Sequence, residues 1–208
     1  MVKEETKITL MNGGMHSQKA YAKMKAMLTE HSYVHPRLYH LVLMGSEIKK
    51  EYLSHLKALR FELRRNNIPC KWRGCIEVDE TKGLHYHVFF LVEAKYINPC
   101  SILNHNKQGW LNIMSLKRGI KYYIAPPKSP IHHAKDGSQL NYATLAGEKL
   151  ADCLIWISYL VKKRSKPTDI SNIYSGSRER KSGSKQSGLR KPPRNKRVGF
   201  GDSNLFFI

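Results

Sequence analysis

Three different hydrophobic periods succeed one another between residues 36 and 93. Over 38–44 the run Leu-Tyr-His-Leu-Val-Leu-Met is almost wholly apolar and lies between Pro36 and Gly45. Such a run predicts a central strand. Ile48, Tyr52, Leu56, Leu59 and Leu63 then recur at intervals of four, four, three and four. That is one buried stripe of a helix over 46–66. Lys49, Lys50, Lys57, Arg60, Arg64 and Arg65 fill the remainder of its surface, and Asn66-Asn67-Ile68-Pro69 stops it. A two-residue period follows over 70–78 and 84–92, with 79–83 as the hairpin loop between two strands. Side chains on a strand alternate faces, so His85 and His87 share one face while Leu84, Tyr86, Val88 and Phe90 share the other. With that loop, Val78 lies opposite Leu84 and Glu77 opposite His85. Cross-strand partners share a face at about 4.5–5.5 Å between Cβ atoms. Glu77 therefore stands beside His85 and diagonal to His87.

The flanks are less regular. Ser17 can cap a basic helix to about residue 30, on which Tyr21, Met24 and Leu28 form a docking stripe. Between 94 and 147 the pattern suggests a short helix over 99–105, strands over 110–114 and 119–124, and a Pro-rich loop over 125–138. His132 and His133 are adjacent in that loop and are left outside any metal site. A second informative helix is predicted over 148–164, with Leu150, Leu154, Ile157 and Val161 as its apolar stripe. Tyr159 lies about 200° around the helix from Ile157. It meets Lys162, three residues on, along one face. Beyond Lys166-Pro167 the composition turns to Gly, Ser, Lys and Arg, too polar to fold alone and expected to be disordered. The terminal Asn-Leu-Phe-Phe-Ile is apolar again.

Composition adds a partner. The chain has 208 residues, 41% of them hydrophobic, enough for one α/β domain with an appendage. Its 36 Lys and Arg against 16 Asp and Glu leave a net charge of +20. That charge points to a polyanion, most simply nucleic acid, ahead of a ribosome-like structural role or a membrane-surface role. No apolar run approaches the length of a membrane span, and the sequence opens without a signal-peptide core. Cys70, Cys75, Cys100 and Cys153 fit neither a zinc ribbon nor a redox pair and read as reduced residues of a cytoplasmic protein.

His-x-His pairs on strands are commonly packing residues. The placement of Glu77 beside this one is what points to a metal. Two imidazole nitrogens and one carboxylate oxygen, with positions left open, suit a catalytic divalent ion better than a closed structural zinc. His40, on the first strand, reads as a packed histidine. With a basic surface, the set suits phosphoryl transfer: Tyr159 as nucleophile and a nearby ammonium to help ionise a phenol of pKa near 10.

His85-Tyr86-His87 followed by Val-Phe-Phe-Leu resembles the His-hydrophobe-His motif of HUH endonucleases. Glu77, eight residues before His85, matches the position of a third metal ligand in many replication proteins of that class. Tyr159-Leu-Val-Lys162 resembles their Tyr-x-x-Lys motif. The set is most similar to the rolling-circle replication initiators of plasmids and filamentous-phage-like elements, particularly the inovirus type.

The resemblance covers 36–166 and implies an α+β fold with a central antiparallel sheet flanked by helices. A helical extension over 1–35 would precede that domain, and a basic, disordered tail over 167–208 would follow it. It further implies Mg²⁺ or Mn²⁺ on His85, His87 and Glu77, and a nick by Tyr159, aided by Lys162, that keeps the 5′ phosphate and frees a 3′ hydroxyl. Lys121, Lys128, Lys163 and Arg164 are the expected DNA contacts. Single-stranded or origin-hairpin DNA, host helicase and host polymerase are the expected partners, in a bacterial cytoplasm and away from membranes. The chain departs from the family in a generic first-strand motif, a long interval between His87 and Tyr159, and a single motif tyrosine, with Tyr122 and Tyr123 nearby. A helicase-type Gly-x-x-x-x-Gly-Lys motif is absent from the sequence. A transposase or mobilisation relaxase shares the chemistry. A non-catalytic DNA-binding module would keep the charge without cleavage. A cupin-like enzyme would place a glutamate four or five residues after the second histidine, whereas Glu93 falls six after.

Overall fold

The computed structural model describes residues 17–46, 48–94, 110–161, 166 and 173–176, all of them within one unit of the chain. In chain order the elements are α1 (Gln18–Thr29), β1 (Pro36–Met44), α2 (Lys49–Arg65), β2 (Cys70–Asp79), β3 (Gly83–Glu93), α3 (Trp110–Arg118), β4 (Lys121–Ala125), β5 (Ala143–Thr144), α4 (Lys149–Ser158) and β6 (Tyr174–Gly176). Short 3₁₀ turns occupy Pro130–His132 and Tyr159–Val161. The fold is α+β, as the family resemblance implies.

The strands form one antiparallel sheet in the order β4-β1-β3-β2-β6, with β5 also paired to β1. Central position explains the sequence of β1 and β3. Both are covered on two faces, so both read as near-continuous apolar runs. One face packs against α2 and α3 through Tyr39, Leu41, Leu43, Leu56, Leu59, Leu63, Tyr86, Val88, Phe90 and Leu111. The other packs against α1 and α4 through Met24, Leu28, Leu38, Phe89, Leu91, Leu154 and Ile157. The alternation along β3 sorts its residues between these layers, and His85 and His87 fall on the α1/α4 side.

The hairpin register is the one the loop length predicts: Glu77 pairs with His85, Val78 with Leu84 and Asp79 with Gly83. The loop is tight because Asp79 Oδ1 accepts from Thr81 N and Thr81 Oγ1, each at 3.0 Å. Gly83 closes it at φ 61, a conformation that costs other residues energy. At the far side, Tyr52 Oη lies 2.6 Å from Ser46 O and 2.9 Å from Leu84 O. It ties the start of α2 to the start of β3. Ser17 caps α1 by accepting from Ala20 N at 3.3 Å.

Two expected elements are corrected. Residues 110–114 were expected as a strand, but they open the helix α3. Leu111 and Ser115, four apart, are its buried positions, while Ile113 and Leu116 face solvent. A short apolar run does not distinguish strand from helix when half its apolar residues are exposed. Gly119, at φ 66, ends α3 and leads into β4. The helix expected over 148–164 is α-helical only to Ser158 and tightens into the 3₁₀ turn Tyr159–Val161. The helix expected over 99–105, Cys100, the basic tail and the terminal Asn-Leu-Phe-Phe-Ile lie outside the described residues. No helix among the described residues is long and apolar enough to cross a membrane.

Candidate metal centre and nucleophile

Glu77 and His85 are cross-strand partners, and His87 sits two residues further along the same face of β3. Their ligand atoms all lie within 4.8 Å of one another, and all three side chains are buried. Glu77 Oε2 is 3.8 Å from His85 Nε2 and 3.4 Å from His87 Nε2. Asp79 Oδ2 stands 3.7 Å from His85 Nε2 at the rim.

Each imidazole is aimed by its other nitrogen. His85 Nδ1 lies 3.0 Å from Gly83 O, an acceptor, so Nδ1 carries the proton and Nε2 presents a lone pair to the cluster. His87 Nδ1 lies 3.0 Å from His40 Nε2. Burial pushes His40 down to about 3. Burial, followed by the neighbouring His40, His85, Lys166 and Lys82, pushes His87 down to about 2. Both rings are thus neutral at physiological pH. His87 Nε2 is buried without a hydrogen-bond partner among the described residues. An orphaned imidazole lone pair facing a buried carboxylate and a second lone pair fits a divalent cation, since each donor otherwise loses its water without compensation. His40 is therefore more than the packed strand histidine expected of it. It is the outer partner that orients a ligand.

Lys166 was not singled out by its sequence. Its Nζ pairs with Glu77 Oε1 and lies 3.1 Å from Cys75 Sγ. An ammonium at this carboxylate marks a place where positive charge is held. Burial raises the Cys75 thiol to about 12, so it stays protonated.

Tyr159 opens the 3₁₀ turn after α4, and its ring meets His87 edge to face at 5.5 Å between centroids. The turn is pinned from two directions. Cys75 Sγ lies 3.3 Å from Leu160 O, and Ser17 N donates to Val161 O at 3.0 Å. Strand β2 thus carries one metal-ligand candidate and also fixes the turn that carries the tyrosine. Burial, then the charge of Glu77, holds the Tyr159 hydroxyl above its ordinary range.

Beside this centre lies a cavity of about 800 Å³, lined by His87, Tyr159, His40, Trp156, Tyr123 and Lys128 among others. Lys82 reaches it from the hairpin turn. Of the expected DNA contacts, Lys128 is exposed at the cavity wall. Lys121 is exposed on β4, two residues before Tyr123 and on the same sheet face. Lys162, Lys163 and Arg164 lie outside the described residues. A separate basic groove runs along the outer side of α2, lined by Lys57, Arg60, Phe61, Arg64 and Arg65. It belongs to the helix layer on the sheet face away from the histidines.

Sequence reasoning missed His40, Lys166, Trp156, Tyr123 and Asp152. For His40 a signal existed, because a two-residue period places it on the same face as Val42, the cross-strand partner of His87. For Lys166 and Trp156 no local signal exists, since both reach the site through tertiary contact.

No curated protein and no solved structure matches the chain. Residues 39–125 match a family model of replication-associated proteins, the ORF2 type, over a span that runs from β1 to the end of β4, holds Glu77, His85 and His87, and stops short of Tyr159.

Proposed function

We propose that this protein initiates rolling-circle replication by nicking single-stranded DNA at an origin. The observation that carries the reading is the Tyr159 ring against His87 of the Glu77/His85/His87 cluster. The similarity of 39–125 to replication-associated proteins supports the same reading.

Glu77, His85 and His87 would hold Mg²⁺ or Mn²⁺, which when bound supplies charge neutralisation and polarisation of the scissile phosphate. Tyr159 Oη attacks phosphorus. The Oη–P bond forms and the P–O3′ bond breaks. The phenol gives up a proton and the departing O3′ gains one, so the step balances as a 5′-phosphotyrosine and a free 3′ hydroxyl. Tyr159 begins as a phenol, held protonated by burial and by the charge of Glu77. Neutralising that charge removes the second cause. Lys162 is the ammonium proposed to assist ionisation, while Lys82, Lys121 and Lys128 offer counter-charges to the flanking backbone. The 3′ hydroxyl primes a host polymerase, and a host helicase unwinds the duplex in the bacterial cytoplasm.

The test is cleavage of end-labelled single-stranded DNA from the parent element's origin region. Wild type and Tyr159→Phe are compared with Mn²⁺ and with EDTA. The expected result is a covalent protein–DNA adduct that needs metal and is lost in the phenylalanine variant. An adduct that persists in Tyr159→Phe moves the nucleophile to Tyr122 or Tyr123. Tight binding without an adduct on the true origin overturns the nicking reading in favour of a DNA-binding module.

A further inference from the structure

The cavity beside the metal centre has a composition that phosphate binding alone does not explain. Its floor is a cross-strand row in which Val42 pairs with His87 on one side and with Tyr123 on the other. Its walls are α4, with Trp156, and the segment after β4, with Lys128. Trp156 is clamped by edge contacts to Phe89 at 4.9 Å and His40 at 5.7 Å between centroids. Tyr123 stands across the opening on edge strand β4, 52% exposed. Two aromatic side chains, one fixed and one open to solvent, bracket an apolar space with lysines at its mouth. Single-stranded nucleic acid is bound on surfaces of this kind, with bases stacked on aromatic rings and backbone held by cations.

One residue contradicts a plain anion site. Asp152 is the single carboxylate in the described lining. It lies in the first turn of α4, where the helix dipole favours its charge. His132, buried on the Pro130–His132 turn, lies with Nε2 2.9 Å from Asp152 Oδ2. A carboxylate fixed at the wall of a cationic cavity repels phosphate but accepts from an N–H. Resting on the nicking reading above, we propose that this cavity is the subsite for one unpaired base next to the scissile phosphate. In it Trp156 and Tyr123 are the stacking surfaces, and Asp152, positioned by His132, selects a base that carries an exocyclic amine. Guanine, cytosine and adenine offer that donor. Thymine presents carbonyl oxygens on either side of its one N–H and is disfavoured.

The full chain is tested in EDTA, which removes nicking from the readout. The probes are dT12 and dT12 with one central dC, dG or 5-iodo-2′-deoxycytidine. Irradiation of the iodinated probe is expected to cross-link Trp156 or Tyr123, identified by peptide mass spectrometry, and Tyr123→Leu is expected to remove its share of the adduct. By fluorescence anisotropy, the dC and dG probes are expected to bind about tenfold tighter than dT12, the discrimination typical of one well-made base contact. Asp152→Asn keeps an acceptor for His132 and turns an amide donor to the cavity, so the preference should shrink to within about threefold. Cross-links confined to other peptides, or a preference that Asp152→Asn leaves intact, overturn the subsite. If the metal-dependent Tyr159 adduct still forms in either case, the nicking reading stands and only this inference falls. Failure to bind any of these probes, with no adduct on origin DNA, removes both.

Discussion

Gly74 offers a measure of how tightly the metal hairpin is built. It lies in β2 opposite Val88, between Trp72 and Ile76 on the face that packs against α2. A Cβ at this position would stand 2.5 Å from His87 O, 2.6 Å from Tyr86 Cε1 and 3.0 Å from Val88 Cβ. The Tyr86 ring is fully buried and cannot swing into solvent, and the carbonyl belongs to the backbone of β3. Gly74→Ala must therefore displace the segment that carries His85 and His87. Overpacking of this kind costs about 1–3 kcal/mol. The narrower unfolded ensemble of alanine returns about 0.4–1 kcal/mol. The net expectation is a loss of about 1–2 kcal/mol in urea melts followed by circular dichroism in EDTA, with an unchanged m-value. Because the ligands ride on the displaced strand, Mn²⁺ affinity measured by calorimetry should also fall about tenfold, the scale that follows disturbed ligand orientation. A variant within about 0.5 kcal/mol of wild type would refute the packing argument. A destabilised variant with unchanged Mn²⁺ affinity would refute the coupling between glycine and site.

Lys166 and Glu77 are 5% and 4% exposed at their side chains, so Lys166→Met leaves a buried carboxylate alone. Stability without metal should drop by about 3–5 kcal/mol, and Mn²⁺ should raise the melting temperature more in Lys166→Met than in wild type; equal shifts would refute the reading of Lys166 as a cation at the metal carboxylate. His55 is buried on α2, and burial, then the charge of Arg118, lowers its imidazole to about 4. Between pH of about 6.5 and 4 the unfolded chain binds a proton that the folded chain refuses, so stability falls as pH falls through that window and is unaffected by this group above it. The full loss is on the order of 3 kcal/mol. Urea midpoints from pH 4 to 8 should fall more steeply with acid in wild type than in His55→Leu, and parallel curves would sink the assignment.

The sequence alone carried the hairpin and its ligands because both depend on local rules. A two-residue period assigns faces, and loop length fixes register, so Glu77, His85 and His87 could be brought together on paper. The stripe of α2 is likewise local, with Tyr52, Leu56, Leu59 and Leu63 all buried. Residues 110–114 were misread because their apolar letters are split between core and solvent, a division that only α2 and the sheet impose.

What the sequence could not decide is what meets across the fold. Tyr159 was found as a motif, but its nearness to His87 depends on α4 packing over the sheet face opposite α2, and on Cys75 and Ser17 holding the turn. Lys166 reaches Glu77 across 89 residues of chain. His132 reaches Asp152 from a loop that sequence reading set aside. Periodicity specifies the face on which a side chain stands. Which side chain of another element stands opposite is set by layer packing and close-packed volume, and no local pattern encodes it.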